Sequence, residues 1–101
     1  MAMSLRVTAQ AKREAARILA YIAKDNPSAA AKLADTLEQG MLRLMDYPFS
    51  APVLPNRINP GIRQLIVPPC RIFYRILGQD AVVVGILRCE QNIEETRFEG
   101  L

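Results

Sequence analysis

Four arginines and a tyrosine fall within one apolar stretch that could array them on a common surface. Arg63, Arg71, Tyr74, Arg75 and Arg88 all lie between Gly61 and Arg88, in GIRQLIVPPCRIFYRILGQDAVVVGILR. A guanidinium presents a fork of N–H donors that fits phosphate or carboxylate oxygens. Breaking a phosphodiester bond needs more: a base, an acid and cations for the developing charge. The chain has no histidine, and the stretch after Arg88 is Cys89-Glu90-Gln91-Asn92. Carboxylates at Glu90, Glu94 and Glu95 would repel a phosphate. Arginines without a proton donor or acceptor beside them form an incomplete catalytic site. The five residues are therefore candidates for binding a partner. Each also has a structural reading. Arg71 and Arg75 would be solvated charges on an exposed sheet face. Tyr74 would be a core residue with its hydroxyl at the edge. Arg63 would pair with an acidic residue on a neighbouring strand.

The remaining reactive side chains are Cys70 and Cys89. Two thiols at no metal-ligand spacing give no zinc site. They flank Gly78 almost symmetrically, so they could be cross-strand neighbours; the plain reading is two reduced, buried thiols, and the alternative is a regulatory disulfide. No metal or cofactor is expected. The net charge is +3, from 13 Lys+Arg against 10 Asp+Glu. That bias suits an acidic protein partner as well as nucleic acid.

The elements that must position these residues follow from pattern. Three β-branched runs, Ile62 to Val67, Ile72 to Leu77 and Ala81 to Leu87, are separated by Pro68-Pro69 and by Gly78-Gln79-Asp80, which predicts an antiparallel meander. The last run is apolar without alternation and should lie inside the sheet, covered on both faces. In the middle run Cys70, Ile72, Tyr74 and Ile76 point one way, and Arg71, Phe73, Arg75 and Leu77 point the other. The face of Arg88 depends on register. A three-residue loop puts it with Cys70, and a loop of two or four residues puts it with Arg71.

Upstream, Leu5 to Thr8 is a short candidate strand that would add a fourth, and Thr8 reads as an N-cap. Ala11, Ala15, Ile18, Leu19 and Ile22 recur at helical spacing, ending near Lys24. Asp25-Asn26-Pro27 ends that helix and opens a second, marked by Ala30, Leu33, Leu37, Met41 and Leu44. A link of about two residues makes the helices an antiparallel hairpin. Gly40 inside the second helix, at a cost of about 1 kcal/mol against Ala, suggests close approach to a neighbour. The proline-rich connection after Asp46 contains Phe49, Val53, Leu54 and Ile58 and is expected to lie on the core. The region from Ile93 to Arg97 reads equally as a short helix or an extended tail.

The order β-α-α-β-β-β predicts an α+β fold: a helical hairpin on one face of a mainly antiparallel sheet, with the other face open or covered by a partner. At 101 residues the chain is expected to be one domain. No apolar run approaches the ~20 residues that span a bilayer, and no signal pattern opens the chain. The expected location is the cytoplasm.

This arrangement resembles the ParE branch of the RelE/ParE toxin superfamily. The resemblance rests on the Asp25-Asn26-Pro27 break, the alanine- and leucine-spaced second helix ending at Pro48, Arg63-Gln64-Leu65-Ile66-Val67, and above all Arg71-Ile72-Phe73-Tyr74-Arg75-Ile76 before a Gly/Asp hairpin. It implies the toxin of a type II toxin–antitoxin pair, inhibiting DNA gyrase and neutralised by a ParD-like antitoxin. That antitoxin would be the only link to DNA, and no membrane is involved. The resemblance also carries a second possibility, a RelE-like ribosome-dependent mRNA endonuclease, and a third, an inactive relative serving as antitoxin co-repressor. Arg71 matches a phosphate-binding arginine of the RelE-like nucleases. Gln91 falls about where they have a second arginine, and no tyrosine follows Tyr74. The chain departs from the family pattern at Ala51, where a glycine is common, at Cys70, where an aromatic is common, and at Cys89-Glu90, where the last strand often runs into Leu-His. A non-catalytic toxin is the expectation.

Overall fold

The computed structural model describes residues 3–55, 60–93 and 95–98. Its elements are β1 (Ser4–Val7), α1 (Ala9–Asp25), α2 (Pro27–Asp46), β2 (Arg63–Val67), β3 (Cys70–Leu77) and β4 (Asp80–Arg88), followed by a 3₁₀ turn at Glu95–Phe98. The strands form one sheet in the order β1-β4-β3-β2. β1 runs parallel to β4, and the other two pairings are antiparallel.

Local chemistry fixes the helix boundaries. The Thr8 hydroxyl accepts from the Ala11 amide at 3.2 Å, and the Asn26 side-chain oxygen accepts from the Ala29 amide at 3.0 Å. Both supply an acceptor to an amide that has no partner within its helix. Asn26 is at once the last residue of one helical boundary and the first of the next, so the link is one residue instead of two. Pro27 opens α2, where a missing N–H costs nothing. Gly40 is buried against β2; a Cβ there would meet Val67 Cγ2 at 3.0 Å, so the helix approaches the strand as closely as a side-chain-free position allows.

The sheet has a core on each face. On the first, Ala11, Leu33, Leu37 and Leu44 of the helices cover Cys70, Ile72, Tyr74, Ala81, Val83 and Ile86. On the second, Ile62, Phe73, Val82, Val84, Leu87 and Phe98 cluster, with Leu54 and Ile93 against them. Phe98 is fully buried, its ring 5.2 Å from that of Phe73. Burying such a side chain is worth about 1.5–3 kcal/mol. The second face is thus neither open nor dependent on a partner, as its arginines suggested; the chain covers it with its own 3₁₀ turn and part of its proline-rich connection. That connection is only partly on the core. Ala51 is buried and Leu54 packs, but Phe49 and Val53 are exposed. Ile58 lies outside the described residues.

β4 is flanked by β1 and β3 and buried on both faces from Ala81 to Leu87, in agreement with its unbroken apolar run. The β3–β4 loop has two residues, Gly78 and Gln79, and Gly78 takes a φ of 58°, a turn conformation open to glycine. From Leu77↔Asp80 to Tyr74↔Val83 the pairing is regular, and then Phe73 pairs with Gly85. Val84 is the extra residue of a bulge, which shifts everything beyond it by one.

Candidate functional site

The bulge decides where Arg88 goes. It stands opposite Cys70 and so belongs to the helix-covered face, although a two-residue loop alone would have put it with Arg71. The five sequence candidates consequently do not form one cluster.

Arg63 and Tyr74 are cross-strand partners on β2 and β3. The Arg63 Nη1 donates to the Ala51 carbonyl at 2.7 Å and to that of Phe49 at 3.4 Å, and its guanidinium lies 5.1 Å from the Phe49 ring centre. It holds backbone carbonyls where the sequence suggested an acidic partner on a neighbouring strand. The Tyr74 hydroxyl donates to the Pro48 carbonyl at 2.7 Å. Burial pushes the Tyr74 pKa up; an Ala51 backbone hydrogen bond and the Arg63 charge pull the other way without cancelling it. Together these side chains fasten the segment after α2 to the sheet. Tyr74 is a core residue with a structural hydroxyl.

Arg71 lies over Phe73, 5.5 Å from the ring centre. Its Nη1 donates to the Gln64 side chain at 3.4 Å, and its Nη2 donates to the backbone carbonyls of Arg88 and Gln91. It therefore shapes the turn that follows β4 and is not simply a solvated charge. Arg75, next on that face of β3, is half-buried opposite Val82. The Arg88 amide donates to Gln91 Oε1 at 2.8 Å. Its side chain pairs through Nε with Glu90 at 3.2 Å and reaches the Tyr21 ring of α1 at 5.8 Å. The groups bonded to Arg71 are one amide and two carbonyls, none of which exchanges a proton near neutral pH.

Cys70 is fully buried, and Cys89 is exposed, with its Sγ 3.4 Å from the Cys70 carbonyl. Both are free thiols, so the expectation of two buried thiols holds for Cys70 alone. Burial pushes the Cys70 thiol up, reinforced by Cys89 and Glu90 and opposed by Arg88. Among the described residues no group of His, Cys, Asp or Glu could hold a metal ion, and no helix is long and apolar enough to cross a membrane.

Sequence reasoning missed Glu14 and Arg97. Glu14 accepts from Arg97 at 2.6 Å on both oxygens, and from the Ile86 amide at 3.1 Å. β1 stops opposite Val83, so on that side of β4 the Ile86 amide meets no strand, and the carboxylate serves in its place. Glu14 sits on the core flank of α1, which a helical wheel could flag, but its partner is 83 residues away in sequence.

The family described as "ParE toxin of type II toxin-antitoxin system, parDE" matches residues 5–93. Comparison with curated proteins gives no match. Among solved structures, the chain is similar to one from the chromosomal ParDE toxin–antitoxin system of P. aeruginosa, with a TM-score of 0.75 and 23% identity over 87% of this chain and 97% of that one. It is also similar to one from the toxin–antitoxin complex RelBE2 of Mycobacterium tuberculosis, with a TM-score of 0.62 and 19% identity over 87% of this chain and 99% of that one. At these identities the two structures establish the fold, two helices on a four-stranded mixed sheet, and the family match covers most of the sequence. The chain belongs to the ParE toxin family of type II toxin–antitoxin systems.

Proposed function

We propose that this toxin acts by docking on DNA gyrase in the cytoplasm, without breaking a bond itself, and that a ParD-like antitoxin neutralises it. The observation that carries the non-catalytic reading is the surroundings of Arg71. Its guanidinium is engaged by the Arg88 and Gln91 carbonyls and the Gln64 amide. A nuclease would need an acid and a base in those places. Tyr74, the nearest phenol in sequence, is buried and bonded to Pro48.

The antitoxin part of the reading is supported by the family and by the two similar structures, both from toxin–antitoxin systems. An apolar groove of about 390 Å³ is lined by Val7, Ala11, Ala15, Leu19, Met41 and Ile86. It offers a seat on the helical hairpin for the apolar face of an amphipathic segment, and the outer edge of β1 is one place where an extended stretch could add. DNA would be reached only through the antitoxin.

The test is a supercoiling assay with purified gyrase. The toxin should block supercoiling and trap cleaved DNA, and prior addition of the antitoxin should restore activity. Unimpaired supercoiling at a large molar excess of toxin would reject the gyrase reading.

A further inference from the structure

A second concave feature lies on the opposite flank of α1 from the apolar groove. Arg17 and Tyr21 are one helical turn apart, and neither shares a stripe with Lys12, Ala16 and Leu19. They face the end of β4, where Arg17, Ile18, Tyr21, Arg88 and Gln91 line an open cleft of about 310 Å³. That volume is at the small end of ligand pockets.

The lining presents hydrogen-bond donors. Gln91 Oε1 already accepts from the Arg88 amide, which leaves the NH₂ end of its side chain for a ligand. Arg17 and Arg88 each bring a guanidinium, which has donors and no acceptor. Arg88 is oriented by two contacts: Glu90 holds its Nε, and its guanidinium is 5.8 Å from the Tyr21 ring centre. Glu90 lies outside the lining and is exposed, so water and salt screen its repulsion of a phosphate, and the two guanidinia outweigh its single charge. Glu14 borders the neighbouring cleft, but Arg97 and the Ile86 amide occupy its oxygens. Among the described residues the lining brings two cations and no carboxylate, which favours an oxyanion.

Two features favour phosphate over carboxylate. One guanidinium fork matches the two oxygens of a carboxylate, whereas two guanidinia lining one cleft, from α1 and from β4, can share the additional oxygens of a phosphate. Beside them stands an aromatic ring, Tyr21, that is 65% exposed; a planar ring next to arginines is a stacking platform for a base. We propose that the cleft between α1 and the end of β4 binds a single nucleotide unit, with its phosphate between Arg17 and Arg88 and its base against Tyr21. The site is separate from the gyrase reading and stands whether or not gyrase is the target.

The test titrates the full-length toxin with adenosine 5′-monophosphate, adenosine, a short single-stranded oligonucleotide and a glutamate-rich peptide, followed by amide resonances and calorimetry. Binding of the monophosphate should shift resonances around Arg17, Tyr21 and Gln91, and adenosine should bind at least tenfold more weakly. Arg17→Ala should weaken the monophosphate about tenfold while leaving the thermal midpoint unchanged, because Arg17 is exposed. Tyr21→Ala should weaken the monophosphate more than it weakens inorganic phosphate. An oligonucleotide that binds more tightly than the monophosphate identifies a strand as the source, and equal affinity identifies the free nucleotide. Equal binding of adenosine and its monophosphate, no binding of the monophosphate, indifference to Arg17→Ala, or tighter binding of the acidic peptide would each overturn the proposal.

Discussion

Arg97 and Glu14 meet at 2.6 Å, tying the last turn of the described chain to the first helix across the end of β4 that β1 does not reach. Both side chains are mostly buried, at 20% and 14% exposure. Truncating one partner strands the other charge in a place that water reaches poorly. Arg97→Ala should therefore destabilise the fold by about 2 kcal/mol, while Glu14→Gln, which keeps an oxygen for the Ile86 amide, should cost about 1 kcal/mol. Because Phe98 follows Arg97 into the second core, Arg97→Ala should also increase binding of a hydrophobic dye. Urea denaturation and dye fluorescence measure the two effects.

Gly85 belongs to the same arrangement. A Cβ there would lie 2.7 Å from the Arg97 Nη2 and 3.3 Å from the Glu14 Oε1. Gly85→Ala should cost about 1–3 kcal/mol by overpacking. In the Arg97→Ala background the added methyl has room, so its cost should fall by at least about 1 kcal/mol. A double-mutant cycle by denaturation reads that coupling directly; additive costs would mean that Arg97 yields without penalty.

Tyr74→Phe removes the hydroxyl that donates to Pro48 and should cost about 1 kcal/mol at neutral pH. The pH dependence has a definite sign. Burial holds the folded Tyr74 protonated beyond the pH at which an unfolded tyrosine ionises. The stabilisation is complete below the unfolded value, near pH 10, and it falls as pH rises toward and through the raised folded value. Cys70, also raised by burial, adds a loss that begins at lower pH. Urea midpoints measured from pH 8 to 11 should decline in both proteins, and less steeply at the alkaline end in the phenylalanine variant.

What could be read from the sequence was what neighbours along the chain decide. Thr8 and Asn26-Pro27 cap helices through contacts three residues away, and the Val82–Leu87 run shows its two-sided burial without any partner being known. The Arg88 face could not be read, because it depends on a single extra residue, Val84, and nothing local distinguishes a bulge in a row of valines. The cover of the second sheet face was equally hidden. Phe98 reaches Phe73 from 25 residues away, and Ile62 and Leu54 join them only once the connection has folded back. The arginines were legible as a set of donors, but Arg63 and Arg71 donate mainly to backbone carbonyls, which carry no signature in side-chain identity.

Gly40 was legible as a point of close approach, and its substitution separates two opposing effects. Ala gains about 1 kcal/mol of helix propensity over Gly. Its Cβ would also press on Val67 Cγ2 at 3.0 Å, with Ile72 Cδ1 at 3.5 Å behind it. Val67 is buried and β-branched, so it has little rotamer freedom to yield. Gly40→Ala should be net destabilising by about 1 kcal/mol. Adding Val67→Ala should make the glycine-to-alanine step at position 40 stabilising in that background. Thermal unfolding of the four proteins supplies the comparison.

The central proposal is that the toxin docks on its target without breaking a bond, with Arg63 and Arg71 engaged in holding its own backbone. Its most direct test is to incubate the purified toxin with gyrase and plasmid in one reaction, and with programmed ribosomes carrying end-labelled mRNA in another. The account predicts lost supercoiling with DNA trapped on gyrase, and mRNA of unchanged length. Shortened mRNA that is restored to full length by Arg71→Ala, alongside normal supercoiling, would contradict it.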